Sequence, residues 1–387
     1  MRDKFFMMLF GSSVCLFSIF GTPSQQKPEW KGKIEEEKGV RIIKNPGESL
    51  YGAIKLDLED DLSIGNEEDN NYLFYRIRDV NVDAQGNVYV VDMGNFRIQK
   101  FDSSGRYLQT IGRQGQGPGE FELPLKLWFD EETGSMLVRS HVTSIDILDP
   151  KGNFIKRITL KNVIYDFEPI TRELFFAVSG KTSEDELTNT HVLCQLNQDG
   201  EIGRVIAEHP FTVYTQRMSG GAILSMSTDY ELSLMLEKIP PESFVFGYSK
   251  EYELNVIDGD GRNLFKIVKA EPYPKFSSEE KKSFRKIPVP GYKPYFFSIL
   301  SDSEGRIYVQ RNMAMMGRVR ADTVNKEVDV FGKDGYFLFT TALPPNTRVI
   351  RNEFIYGWIV DEDKGTETVK RFKIKNWNSL PSGYRSP

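Results

Sequence analysis

Any chemistry in this 387-residue chain has to come from a short supply of ligating and nucleophilic residues. It has three histidines, His141, His191 and His209, and no His-x-His or Cys-x-x-Cys pair, so no zinc site is written locally. His209 stands directly before Pro210, in a connector. A calcium site would need carboxylates and amides converging from several segments. Asp92, Asn95 and Asp361, all at the ends of apolar runs, are the metal candidates. They have a competing use, because Asp and Asn in an Asp-x-x-Asn turn bond the backbone of that turn. Arg97 competes in the same way, as a brace between neighbouring units. The run Gly112 to Gly119 lacks a Lys-Ser/Thr ending and opens no helix, which excludes a phosphate cradle. No catalytic residue and no cofactor are assigned.

These residues depend on the elements that carry them. Hydrophobic residues make up 39% and aromatics 12%, enough for a core and weighted towards strands. The formal net charge of −5 leaves no basic footprint, so nucleic acid is excluded as a partner.

Arg2 and Lys4 precede an apolar run from Phe5 to Phe20, and Gly21-Thr22-Pro23-Ser24 ends it. That order predicts a signal peptide over residues 1–24, cleaved near its end, and an extracytoplasmic protein: periplasmic, outer-membrane-associated or secreted. A retained anchor is one alternative. A lipid on Cys15 is another, and would be the only membrane attachment. Ser12 and Val14 depart from the Leu and small residue a lipobox needs before its Cys. Loss of the signal leaves Cys194 alone, so no internal disulfide forms and stability must come from packing.

Residues 78–111 show the repeat. Asp79 to Asp83 alternates, Ala84 to Asn87 turns, and Val88 to Val91 is a second strand. Arg97 to Phe101 and Tyr107 to Ile111 follow, across the turn Asp102-Ser103-Ser104-Gly105. Four short strands with Gly, Asn and Asp turns form an antiparallel meander that cannot cover both its faces alone. The last turn returns at Gly152, Gly200, Gly261 and Gly335, spaced 47, 48, 61 and 74 residues apart from Gly105 onward. The first two intervals fit one blade each, and the last two fit blades with insertions. A sixth unit, Phe354 to Val360 and Thr368 to Ile374, lacks its fourth strand, while Ala53 to Leu58 is a strand without a blade. Pairing the two closes a ring and protects its edges. The expectation is an all-β, six-bladed β-propeller of four-stranded antiparallel blades over residues 39–376, closed by an N-terminal strand joining the C-terminal blade. A linker (25–38) precedes it and a tail (377–387) follows.

Val82 to Val90 and Asn95 to Phe101 resemble an NHL repeat, and Gly112 to Phe121 with Pro124 resembles the inter-blade loop of bacterial exported six-bladed propellers. Lys293 to Phe297 and Asp302 to Val309 are similar to the same group. The likeness spans roughly residues 40–376 and implies fold and export far more than activity. NHL-type amidating lyases hold metal through inward histidines of several blades; His141 and His191 match in part, and a third is missing. A gluconolactonase-like propeller would carry calcium at Asp92, Asn95 and Asp361.

Two insertions stand out. Ser277 to Glu280 has capping-box spacing and predicts a short helix to Arg285, packed through Phe284. Asn312 to Gly317 is rich in Met and fills space beneath a loop or lines a mouth. The functional expectation is a binding or scaffold propeller that meets a protein, peptide or glycan on one ring face. Arg139, His141, Arg217, Tyr230, Arg311 and Trp358 are the mouth candidates. The alternative is a divalent-cation-dependent hydrolase or lyase.

Overall fold

The computed structural model describes residues 28–130, 132–161, 164–171, 174–182, 188–197, 199–217, 223–227, 232–283, 293–311, 325–361 and 363–384. The apolar N-terminal run with Cys15, Tyr230, Phe284, Arg285 and the Met-rich insertion lie outside the described residues.

The chain forms the six-bladed all-β propeller that its repeats predict, with six sheets set around a central channel. An N-terminal hairpin, β1 (Lys33–Glu37) and β2 (Val40–Asn45), leads to β3 (Leu58–Ile64). Blade one is β4 (Ile77–Val82), β5 (Val88–Asp92), β6 (Arg97–Phe101) and β7 (Tyr107–Ile111). Blade two is β8 (Lys126–Phe129), β9 (Met136–His141), β10 (Ser144–Leu148) and β11 (Phe154–Thr159). Blade three is β12 (Ile164–Thr171), β13 (Leu174–Thr182), β14 (Thr188–Asn197) and β15 (Ile202–Arg217), with β16 (Ile223–Ser227) added. Blade four is β17 (Leu234–Ile239), β18 (Ser243–Tyr248), β19 (Glu253–Ile257) and β20 (Asn263–Lys269). A short helix, α1 (Ser278–Ser283), lies in the next connector, where the capping spacing predicts one. Blade five is β21 (Ser298–Ser301), β22 (Ile307–Gln310), β23 (Lys326–Phe331) and β24 (Phe337–Leu343). Blade six is β25 (Val349–Arg351), β26 (Phe354–Asp361) and β27 (Thr366–Ile374), completed by β3.

The turn between third and fourth strands explains the repeated glycine. In blade one the Gly105 amide donates to the Asp102 carbonyl at 2.9 Å, and the Asp102 carboxylate accepts the Ser104 and Arg106 amides. A second demand is space. In blade five Gly335 has φ +86°, and a Cβ there would lie 2.6 Å from Ile43 Cδ1 of β2, on the outer edge of blade four. In blade one, a Cβ on Gly105 would lie 2.9 Å from Leu62 Cδ1 of β3. Each of these turns rests on the outer strand of the blade before it. Gly335→Ala combines the left-handed backbone with overpacking and is expected to cost about 2–4 kcal/mol in urea denaturation. A loss below about 0.5 kcal/mol would show that the turn is not pressed against β2.

The ring closes through the N-terminal and C-terminal segments, with a shift from the sequence expectation. β27 pairs with Leu58–Ile64, not with Ala53 to Leu58; Leu58 is the one residue the two share, opposite Ile374. Ala53 instead bridges Thr340 of β24, and Leu50 and Ile54 donate backbone hydrogen bonds to Phe337 and Thr340. Residues 33–37, expected within a linker, form β1, and β2 adds in parallel to β20. The segment from β1 to β3 therefore belts blades four, five and six. The Asn45 side chain ties two of them, donating to the Gly335 carbonyl and accepting the Phe337 amide, both at 2.9 Å. The tail is also anchored: Trp377 and Leu380 are buried against Leu338 and Phe339 of blade five.

Candidate functional site

The first strand of every blade faces the central channel, a space of about 1230 Å³. Charged side chains concentrate where these strands begin. Arg78 and Asp79 open β4, Lys126 opens β8, Asp166 and Glu168 lie in β12, and Glu237 lies in β17. Arg139 enters from the end of β9, Lys326 from the start of β23, and Arg348 from just before β25.

Two neighbourhoods result. Around blades two to four, Lys126 Nζ lies 2.9 Å from Glu168 and 3.1 Å from Asp166. Trp128 Nε1 donates to the other Glu168 oxygen at 3.1 Å, and the Lys126 ammonium sits 4.4 Å from the Trp128 ring centre. Burial works against the Lys126 charge, but Asp166, Glu168 and Glu237 together outweigh it and raise its pKa. Burial raises both Glu168 and Glu237, and repulsion from the neighbouring Glu168 raises Glu237 further. Glu237 accepts the Ser301 amide at 3.1 Å.

Around blades five, six, one and two these charges are cationic except for Asp79. Arg348 approaches Asp79 at 4.0 Å and lies over the Trp358 ring at 5.4 Å. Asp79 is buried, which raises its carboxyl, and its Oδ2 accepts the Leu127 amide at 3.0 Å. Lys326 donates to the Thr347 carbonyl at 3.2 Å; burial, helped by Arg348, brings its amine down to about 7. Arg139 donates to the Ile164 and Tyr165 carbonyls across the blade junction, and its buried Nε has no partner.

Of the mouth candidates, Arg139 lines the channel. His141 ends β9, half-buried, with its Nδ1 3.0 Å from Thr143 Oγ1, and is not a lining residue. Arg217 is the last residue of β15. Arg311 pairs with the buried Asp329 at 3.0 Å, beside Lys269 at the junction of blades four and five. Trp358 is buried in the core between blades six and one. His191 and His209 sit opposite each other in the register of β14 and β15.

The metal candidates make local bonds. Asp92, fully buried, accepts from the Tyr75 amide, Asn95 Nδ2 and Arg97 Nε at 2.8–2.9 Å. Asp361 accepts the Asp363 and Lys364 amides of its own turn. Among the described residues no group of three or more His, Cys, Asp or Glu side chains is placed to hold a metal ion. Asp92→Ala strands a cation and two other donors, so thermal or urea unfolding should show a loss of about 2–4 kcal/mol. A variant as stable as the native protein would remove the structural role.

The channel residues Arg78, Lys126, Asp166, Glu168, Glu237, Lys326 and Arg348 were not found by sequence reasoning. The signal was available for four of the blades: charged residues inside the first strands β4, β8, β12 and β17, where a buried strand should be apolar.

Comparison with known proteins agrees on the fold. Residues 64–230, the span of blades one to three, match the family model DUF5128, a 6-bladed beta-propeller. No curated protein matches the sequence. Among solved structures, a protein of Bacteroides fragilis NCTC 9343 described as exported is similar at 12% identity and a TM-score of 0.55, covering 86% of this chain and 99% of its own. A DUF4221 member from Bacteroides vulgatus ATCC 8482 is similar at 13% identity and a TM-score of 0.55, covering 83% and 98%.

Proposed function

We propose that this propeller is an extracytoplasmic binding protein that takes a protein, peptide or glycan partner at the charged end of its central channel. The basic start and apolar run of the N-terminus support the compartment, and the NHL-like signature of blade one supports the kinship with exported propellers. One observation carries the binding role: a channel of about 1230 Å³ to which all six blades contribute charged side chains where a closed core would be apolar. Burying charge is costly unless it is paired or used, and a concave site with few convergent polar groups is the usual form of a ligand pocket.

The test is a glycan and peptide array probed with the native protein and with Ser298→Trp, which fills the channel from β21. Ligands held by the native protein and lost by the variant, at an unchanged melting temperature, are the expected result. Ligands held equally by both would move the site to another surface. Binding by neither would remove the binding role.

A further inference from the structure

The charged end of the channel is lopsided. Its cations follow one another around the ring: Arg348 acts electrostatically on Lys326 and on Arg78, and Arg78 on Arg139. All four line the same channel. The carboxylates offset them only in part: Asp79 and Asp166 act favourably on Arg78, and Asp166 on Arg139, but neither makes a hydrogen bond to either guanidinium. Asp166 and Glu168 hold Lys126, and Asp79 spends one oxygen on the Leu127 amide while the other stays 4.0 Å from Arg348. The Arg78 side chain makes no hydrogen bond or ion pair with any described residue. The chain as a whole carries 55 acidic against 50 basic residues, so the cluster is not a product of overall charge.

Like charges crowded together disfavour the folded chain, and a guanidinium in partial desolvation is a strong, fork-shaped donor to oxyanions. We infer that the channel-bound part of the ligand is an oxyanion, a carboxylate, sulfate or phosphate, seated between Arg78 and Arg348 with Arg139 and Lys326 on either side. This rests on the channel being the binding site and adds the chemical class of its ligand. Arg139 and Lys326 also hold carbonyls of adjoining blades, which leaves Arg78 and Arg348 as the pair with free donors. Lys326 supplies an amine whose proton an arriving anion would stabilise.

The test uses the full chain with three probes, inorganic sulfate, inorganic phosphate and succinate, titrated by calorimetry at fixed ionic strength. The variants are Arg78→Gln, Arg348→Gln and the double substitution. The native protein is expected to bind at least one probe in the millimolar range or tighter, and the double variant at least tenfold more weakly. A second readout separates recognition from structure. Without anion, the Arg78→Gln variant should melt at the native temperature or above, since one crowded charge is gone; a structural cation would lower it. No binding of any probe up to 50 mM (a concentration on the order of ten times a weak millimolar Kd), or equal binding by the double variant, overturns the inference. The array separates the two failures. Neutral or cationic ligands lost in Ser298→Trp would keep the channel site and remove the oxyanion. Ligands indifferent to Ser298→Trp would remove the channel site itself.

Discussion

A chain begun at Gly65 is expected to lose cooperative folding. It lacks β3, and with it the last strand of blade six, six register pairs with β27 and the fully buried Ile64. It also lacks the belt over blade five, where Leu56 is buried and Leu50 and Ile54 pack against it. Backbone hydrogen bonds contribute roughly 1 kcal/mol each, and full burial of an Ile about 2 kcal/mol. Their sum rivals the roughly 5–15 kcal/mol that separates a native domain from its unfolded chain. The loss also leaves β27 as an exposed edge and opens the ring between blades six and one. A chain begun at Pro46 is the graded control. It loses β1 and β2, including the fully buried Ile43, and keeps β3, so it should fold with a lower melting temperature. Calorimetry reads both, and a synthetic peptide of residues 46–66 should restore a single transition to the shorter chain. A sharp native-like transition without the peptide would mean that the ring does not depend on β3.

The belt also shows where sequence was legible and where it was not. The glycine-ended turns, four of them opened by Asp or Asn, announced the blades because local backbone geometry and contact with the preceding blade both demand glycine there. The closing strand was displaced for a physical reason. Ile54, Leu56 and Leu58 alternate because they pack on blade five, so they resemble a sheet strand while lying along its edge. Glu59-Asp60-Asp61 resembles a loop, yet it belongs to β3, where Lys370 meets Asp60 at 2.7 Å and Arg371 pairs with Asp61. An outermost strand can be this charged because one of its faces is wet. The hairpin at Lys38-Gly39 hid similarly: both residues have positive φ, the geometry of a two-residue turn, but only the Gly signals it in sequence. The channel was least legible. Its charges come from six separate strands, so no local motif gathers them, and mouth residues sought in loops yielded Arg139 alone among the lining.

Replacing Lys126 by Met should produce the largest effect of any single channel substitution, and one that depends on pH. Met preserves the contact with Trp128 and removes the only cation among the described residues that is bonded to Asp166 and Glu168. Removing one partner from a buried pair commonly costs about 3–5 kcal/mol. Lys126 keeps some access to channel water, so about 2–4 kcal/mol is expected at pH 8. The sign with pH follows from the carboxyls. Glu168 and Glu237 already have pKa values raised above the ordinary range in the fold, so in the folded state they favour the protonated form. Their penalty is absent below the unfolded pKa of about 4.3 and grows as pH rises towards the folded values. Without Lys126, which lowers both, those folded values rise further and the penalty extends towards neutrality. The variant should therefore lie furthest below the native protein at pH 8 and approach it near pH 4, where neutral carboxyls leave the native ammonium with nothing to pair. Urea unfolding at pH 4, 6 and 8 measures the gap. A gap that stays constant with pH would mean that Lys126 acts through packing alone, and that the carboxyls around it are not held by its charge.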